Sequence, residues 1–204
     1  MPCLFRYSEK QESPVHTQYM KLIPTEEETL VARLKDNGTK DKAFRELMGL
    51  YKRPLYAMLR KLIVDHHDTD EALQLTFIKI YKYIDGFKGD SKLYTWIYTI
   101  ARNEAYRVLK DRAARQNMRI DDLGAQAMQA LRARSEYYAG DEIQYALQKA
   151  VNQLPLKQRE VFNLKYFDGM KYTQIAEITG VTIGGLKANY HLAVKKIKEL
   201  LSGD

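Results

Sequence analysis

The chain is poor in the residues that build cross-linked, metal-bound or membrane-spanning proteins. Cys3 is the single cysteine among 204 residues, so no disulfide closes within the chain and no multi-cysteine zinc site forms. Nowhere do about eighteen apolar residues follow one another, the length a membrane helix needs. Arg6, Glu9, Lys10 and Glu12 interrupt the apolar stretch that a secretory leader would require. These absences lead to the expectation of a cytoplasmic protein. Only five prolines and eleven glycines punctuate the chain, and alternating strand patterns are missing, which leaves helical periodicity in charge. Catalytic signatures are missing as well: there is no phosphate loop, no Gly-x-Ser-x-Gly elbow and no paired His-Glu metal helix. Neither an enzyme nor a cofactor or small-molecule substrate is expected.

What the chain does have is positive charge. Lysine and arginine exceed the acids by seven, a surplus that suits a polyanionic partner. The pattern predicts an all-α protein made of two small helical domains joined by a flexible linker. Residues 1–24 lack a clear period and read as a loose tail. The first domain spans 25–112. It starts with a Thr25–Glu28 capping box ahead of Leu30, Val31 and Leu34. Next comes a helix from about Lys40 to Val64 carrying Pro54, and then a third from about Thr69 to Ile84 that buries Leu73, Phe77, Ile80 and Ile84. A glycine-hinged loop, Gly86 to Ser91, leads into a helix from about Leu93 to Arg112. Residues 113–140, rich in Arg, Gln and Ala, read as the linker. The second domain spans 141–204, with Pro155 opening one of its helices.

Ile175-Ala176-Glu177-Ile178-Thr179-Gly180-Val181-Thr182, followed by an amphipathic run to Leu201, is the sequence form of a helix-turn-helix. Ala176 is small enough for two helices to cross over it. Gly180 stands where a sharp turn needs a residue tolerant of positive φ, and the Thr182 hydroxyl can cap the next helix. That helix is expected to bury Ile183, Leu186, Tyr190, Val194, Ile197 and Leu201. Its outer face then carries Gly184, Gly185, Ala188, His191, Lys195 and Glu199, flanked by Lys187, Asn189 and Lys196. Lysines suit phosphates, whereas Asn189 and His191 suit base edges.

A second candidate surface lies on the helix after the glycine loop. Ile97, Ala101, Ala105 and Val108 make its core face. Trp96, Thr99, Asn103, Tyr106, Arg107 and Lys110 gather opposite. Rings interleaved with cations suit unstacked bases and a phosphate backbone. In the alternative reading, Trp96 and Tyr106 cap the core edge and the cations are solvated. The loop itself, with Lys88 and Lys92, can receive a base rotated out of a duplex, or serve as a plain turn.

Asp65-His66-His67-Asp68-Thr69-Asp70 does not place metal ligands on one helical face. It reads as a turn in which Asp68 or Thr69 caps the helix that follows. Asp70, Glu71 and Gln74 then form an acidic strip that would repel DNA and faces a protein partner or solvent.

Three stretches, Asp68 to Phe77, Phe87 to Ser91 and Leu93 to Asn103, resemble domain 2 of extracytoplasmic-function sigma factors of bacterial RNA polymerase. Leu154-Pro155-Leu156-Lys157-Gln158-Arg159-Glu160-Val161-Phe162 and the helix-turn-helix after it resemble domain 4 of the same family. The resemblance covers about residues 25–201 with the motifs in family order. It implies an initiation factor that binds core RNA polymerase and directs it to promoters, monomeric when free and commonly held by an anti-sigma factor. By resemblance, Asp70, Glu71 and Gln74 contact the polymerase β′ clamp helices. Lys88, Ser91, Trp96, Thr99, Asn103, Tyr106, Arg107 and Lys110 contact the melted minus-ten element. Thr182, Gly184, Gly185, Lys187, Ala188, Asn189, His191 and Lys195 contact the minus-thirty-five element, and the second domain meets the β flap. The family's frequent Ser-x-Gly-Thr-Val-Lys-Ser-Arg stands here as Thr182-Ile183-Gly184-Gly185-Leu186-Lys187-Ala188-Asn189, which keeps Thr182, Gly184 and Lys187 in kind, so the resemblance implies DNA binding but does not carry over the family's usual upstream sequence preference.

Two other readings remain at this point. A conventional helix-turn-helix regulator would explain the second domain but leave the Trp96 face unused. A scaffold that binds polymerase without choosing promoters would leave Lys187, Asn189 and His191 idle.

Overall fold

The computed structural model describes residues 24–124, 126 and 142–202, and every regular element among them is helical. Residues 1–23 of the tail expected over 1–24, and 125 and 127–140 of the linker expected over 113–140, lie outside the described residues; Pro24 is helical rather than part of a tail, and Ala113 and Leu123 of the expected linker are buried in the core.

Helix α1 spans Pro24–Lys35. It starts at a proline, whose fixed φ and missing N–H suit a first helical position, so Thr25 lies inside the helix rather than capping it. Helix α2, Lys40–Ile63, runs through Pro54, which is buried. Helix α3, His66–Tyr83, begins three residues earlier than expected. Its cap is Asp65, whose Oδ1 accepts the Asp68 amide at 3.0 Å, rather than Asp68 or Thr69. Asp68 is buried instead and forms an ion pair with Arg112. A short 3-10 turn over Ile84–Gly86 then leads into the glycine loop.

Helix α4, Leu93–Gln116, outruns its expected end by four residues and stops at Asn117 in the left-handed region. Arg112 explains the extension, because its pairs with Asp65 and Asp68 hold the last turns against the start of α3. At the other end, Glu27 of α1 accepts the Leu93 amide at 2.7 Å, placing a carboxylate on the N-terminus of α4.

Four more helices follow. They are α5 (Glu142–Asn152), α6 (Leu156–Phe162), α7 (Tyr172–Thr179) and α8 (Ile183–Ser202), with a wider π-type turn over Asn163–Phe167 after α6. Gly180 closes α7 at φ +70°. Thr182 caps α8, its hydroxyl accepting the Gly185 amide at 3.2 Å.

The apolar residues assemble into two clusters. Leu30, Leu47, Leu55, Ile80, Ile97, Ala101, Ala105 and Val108 belong to the larger one and are fully buried. Each large aliphatic side chain removed from water in this way contributes about 1.5–3 kcal/mol. Leu156, Val161, Leu164, Ile175, Ile178 and Leu186 belong to the same cluster. The C-terminal helices therefore pack onto the N-terminal ones. A smaller cluster of Ala150, Val151, Leu154, Phe162, Ala193 and Ile197 holds α5, α6 and α8 together.

Candidate nucleic-acid interface

Helix α8 presents most of its expected outer face. Thr182, Gly184, Lys187, Ala188, His191 and Lys195 are exposed, at the helical spacing that puts them on one side. Asn189 differs. It is half-buried, and its Nδ2 donates to the Gly185 carbonyl of its own helix at 2.9 Å, so its amide faces backbone in this conformation. Gly185 sits against the turn, where an added Cβ would lie 3.1 Å from Val181. Two details of the buried face depart from the expected pattern. Ala193 enters the core, whereas Ile183 is 41% exposed.

On α4 the expected face is divided. Asn103, Arg107 and Lys110 are exposed, while Trp96, Thr99 and Tyr106 are half-buried. Arg107 is held by Glu104 and Asp111 at 3.1 and 3.3 Å. Trp96 packs on Phe87 with ring centroids 5.3 Å apart. Thr99 and Tyr106 turn toward the C-terminal helices. The Thr99 hydroxyl lies 3.5 Å from the Ile178 carbonyl, and Tyr106 donates to Glu160 Oε2 at 2.8 Å. The Tyr106 phenol is pushed up, first by burial and then by the Glu160 carboxylate. The expectation of one open face is thus corrected: a sequence period cannot register that a second unit lies along part of the helix.

The glycine loop stands beside this helix, with Gly89 at φ +82° and Lys88 exposed. Phe87, Gly89, Ser91 and Lys92 form one wall of an open cleft of about 830 Å³, and Lys171, Gln174 and Glu177 form another. Glu27, Glu28 and Asp90 also line it, so the cleft as it stands carries an acidic balance.

The acidic strip is partly exposed, with Gln74 open, Asp70 and Glu71 half-buried, and Asp70 3.5 Å from His66. Beyond Gln74 lies a surface that the helical period did not reveal. Phe44, Met48, Phe77, Ile78 and Tyr81 line an apolar groove, and Ile78 is 61% exposed. Phe77, expected in the core, is half-buried at its edge. The clue lay in α3 having apolar residues on more than one face, which marks a contact surface on an otherwise solvated helix.

Comparison with known proteins decides the family. Residues 47–115 match the family model described as Sigma-70 region 2, and residues 144–197 match Sigma-70, region 4. The chain belongs to the sigma-70 family. The sigma-H factor of RNA polymerase from Pseudomonas aeruginosa is 27% identical over 187 residues, covering 88% of this chain and 96% of the relative. The sigma-E factor of Escherichia coli K12, of the extracytoplasmic-function type, is 26% identical over 178 residues, covering 84% and 92%. Among solved structures, the sigma factor RpoE of Bartonella quintana in complex with the anti-sigma factor NepR matches with a TM-score of 0.59. It is 27% identical over 80% of this chain and 99% of that one. CnrH, in complex with the cytosolic domain of CnrY, shares the fold with a TM-score of 0.63 at 20% identity, over 87% and 98%. This chain is therefore an RNA polymerase sigma factor of the extracytoplasmic-function type, and the conventional-regulator reading falls away. None of the sigma factor's described helices is long and apolar enough to cross a membrane.

Proposed function

We propose that this sigma factor reads its promoter with two surfaces and holds polymerase with a third. Helix α8 meets the minus-thirty-five element through Thr182, Gly184, Gly185, Lys187, Ala188, His191 and Lys195. Asn189 joins them once its amide leaves the Gly185 carbonyl. The small residues of the first turn let backbone approach DNA, and the helix N-terminus favours a phosphate. Lys88 and Ser91 in the loop and Trp96, Thr99, Asn103, Tyr106, Arg107 and Lys110 on α4 take the melted minus-ten strand. Each stacked base is worth about 1–3 kcal/mol there. Asp70, Glu71 and Gln74, continued by the apolar groove around Ile78, dock on core polymerase at its β′ clamp helices, and the C-terminal unit meets the β flap.

In this reading the protein has no catalytic step of its own and acts in the cytoplasm as a polymerase subunit. An anti-sigma factor holds it between uses, as NepR is found with its structural relative. The observation that carries the reading is the order of the two sigma-70 regions in one chain, together with the exposed stripe of Lys187, Ala188, His191 and Lys195 on the second helix of the motif. Run-off transcription with sigma-free core polymerase on promoter fragments from the source genome tests it. Discrete transcripts that require the protein are expected. Tight DNA binding without transcripts would overturn the reading.

A further inference from the structure

Helix α2 carries a charged face that neither the promoter surfaces nor the polymerase surface uses. Its apolar side chains, among them Leu47, Leu55, Met58 and Leu62, are buried against the other helices. Lys42, Arg45, Lys52, Arg53 and Arg60 lie on the opposite side, because steps of three and seven residues return to one side of a helix and Lys52 and Arg53 straddle it. The first four are exposed and Arg60 is half-buried. Among the described residues no carboxylate pairs with any of them. The two acids of α2 are engaged elsewhere: Asp41 accepts the Tyr81 hydroxyl at 2.8 Å, and Glu46 pairs with Arg33 at 2.6 Å. What remains is a stripe of one sign, about 27 Å long at 1.5 Å per residue.

The stripe lacks what a protein partner needs. Interface cores between proteins are built on aromatic and apolar anchors, and none of the large exposed apolar side chains among the described residues lies on α2. Ile78 and Tyr81 of α3 supply such anchors in the neighbouring groove. Phosphates need none, since unpaired cations bind them by neutralising charge and releasing counterions. Midway along the stripe stands Gly49, where an added Cβ would meet nothing within 4 Å, so a phosphate backbone can come close to the helix. The stripe also starts beside the glycine loop. Lys40, in the same first turn of α2 as Lys42, pairs with Asp85 at 2.9 Å, and Asp85 directly precedes Gly86. At 3.4 Å per phosphate of one strand, the stripe spans about eight phosphates.

We propose that the cationic face of α2 is a further DNA-binding surface of this sigma factor, taking the phosphate backbone of the promoter strand once it has passed the glycine loop. The proposal rests on the loop taking the melted minus-ten strand. The contact is blind to sequence, because phosphates carry none. It adds affinity for the opened promoter and makes that affinity depend more steeply on salt. Helix α4 and the loop choose the bases, and α2 holds the strand beyond them.

Holoenzyme assembled from core polymerase and the full-length chain is titrated with two forked promoter fragments, at salt concentrations from about 50 to 200 mM. Both carry the minus-ten element as a single strand. One ends at its downstream edge, and the other continues for about eight nucleotides, the span of the stripe. Arg45→Gln, Lys52→Gln and Arg53→Gln combined should lower the slope of log affinity against log salt by about two on the longer fragment, at about 0.7 per phosphate of a single strand. On the shorter fragment the slopes of the variant and the unaltered chain should coincide. Replacing the two arginines by lysine should keep the slope, because a phosphate accepts either cation. Gly49→Glu puts a carboxylate into the middle of the stripe while improving helix propensity. It should weaken binding to the longer fragment about tenfold without lowering the urea midpoint of the free protein. A slope lost on both fragments, or on neither, would overturn the path along α2. Unchanged slopes with weaker binding of the glutamine variant to core polymerase, by competition against labelled sigma, would make the stripe a contact for an acidic protein surface and overturn it too. Failure of the minus-ten reading has a different sign: the unaltered holoenzyme would bind both fragments no better than fragments with a scrambled minus-ten element, and the path would fall with it.

Discussion

Arg159 and Glu160 are successive residues of α6, both buried, and only one of them has its charge answered. Glu160 receives three bonds from Arg102 and Tyr106. Arg159 is 0% exposed and donates from Nη1 to the Asn152 carbonyl at 3.3 Å, with Nε and Nη2 left without partners among the described residues. Burial pulls its pKa down to about 10, against a smaller opposing pull from Asp121. Gly124 lies on it so closely that a Cβ there would sit 1.7 Å from the Arg159 Nη1.

A buried cation with so few partners destabilises the state that buries it. Arg159→Met keeps the length of the side chain and removes the charge. It is expected to leave stability unchanged or raise it by about 1–3 kcal/mol, read as a higher urea midpoint. A loss of more than about 2 kcal/mol would mean that the guanidinium contributes to folding.

The opposite sign applies to Tyr106. Its phenol pKa is raised in the folded chain, so the stability it contributes is fully present below about pH 10, the unfolded value. It is lost as pH climbs through the raised folded value. Tyr51 and Tyr98 are raised by burial in the same direction, so the whole protein should lose stability in alkali. Tyr106→Phe should lessen that slope, seen by comparing unfolding midpoints at pH 8 and about pH 11. Parallel curves for the two proteins would remove Tyr106 as a contributor.

Gly180 ends α7 at φ +70°, and an added Cβ there meets nothing within 4 Å. Gly180→Ala therefore isolates backbone strain from crowding. It should cost about 1–2 kcal/mol, measured by denaturant unfolding, with the helix-turn-helix retained by circular dichroism. No change would show that the turn adopts another conformation in solution.

Trp96 rests on Phe87 at the edge of the glycine loop, half-exposed. In the proposed reading its ring stacks on an unpaired base, so Trp96→Ala should lower open-complex yield by about 1–3 kcal/mol in equilibrium terms. Closed-complex affinity should change little. Permanganate footprinting beside a mobility-shift assay separates the two quantities, and equal losses in both would remove the stacking role.

Ile78 is 61% exposed and lies in the apolar groove beside Gln74. Ile78→Asp should leave stability within about 0.5 kcal/mol, as surface changes do, while weakening binding to core polymerase by an order of magnitude or more. Glu71→Lys, placing a cation in the acidic strip, should act in the same direction. Unaltered affinity in both variants, by competition against labelled sigma, would free this face from polymerase contact.

How much of this was legible in the sequence follows from the range of the forces involved. The core stripe of α4, the left-handed turn at Gly180, the Thr182 cap and the outer stripe of α8 were all written in local spacing, because helix period and capping act within a few residues. The order of the two sigma-70 motifs was equally a property of the chain. Other features waited on the tertiary structure: that Asp65 rather than Asp68 caps α3, that Arg112 prolongs α4, and that Ile78 stays outside the core. So did the division of the expected α4 face by Glu160. Each depends on a partner, or on a missing neighbour, at a distance the sequence does not display. Arg102 and Glu160 stand 58 positions apart. Whether such a pair meets is settled by how helices pack, since a buried carboxylate accepts whichever donors the surrounding core delivers to it.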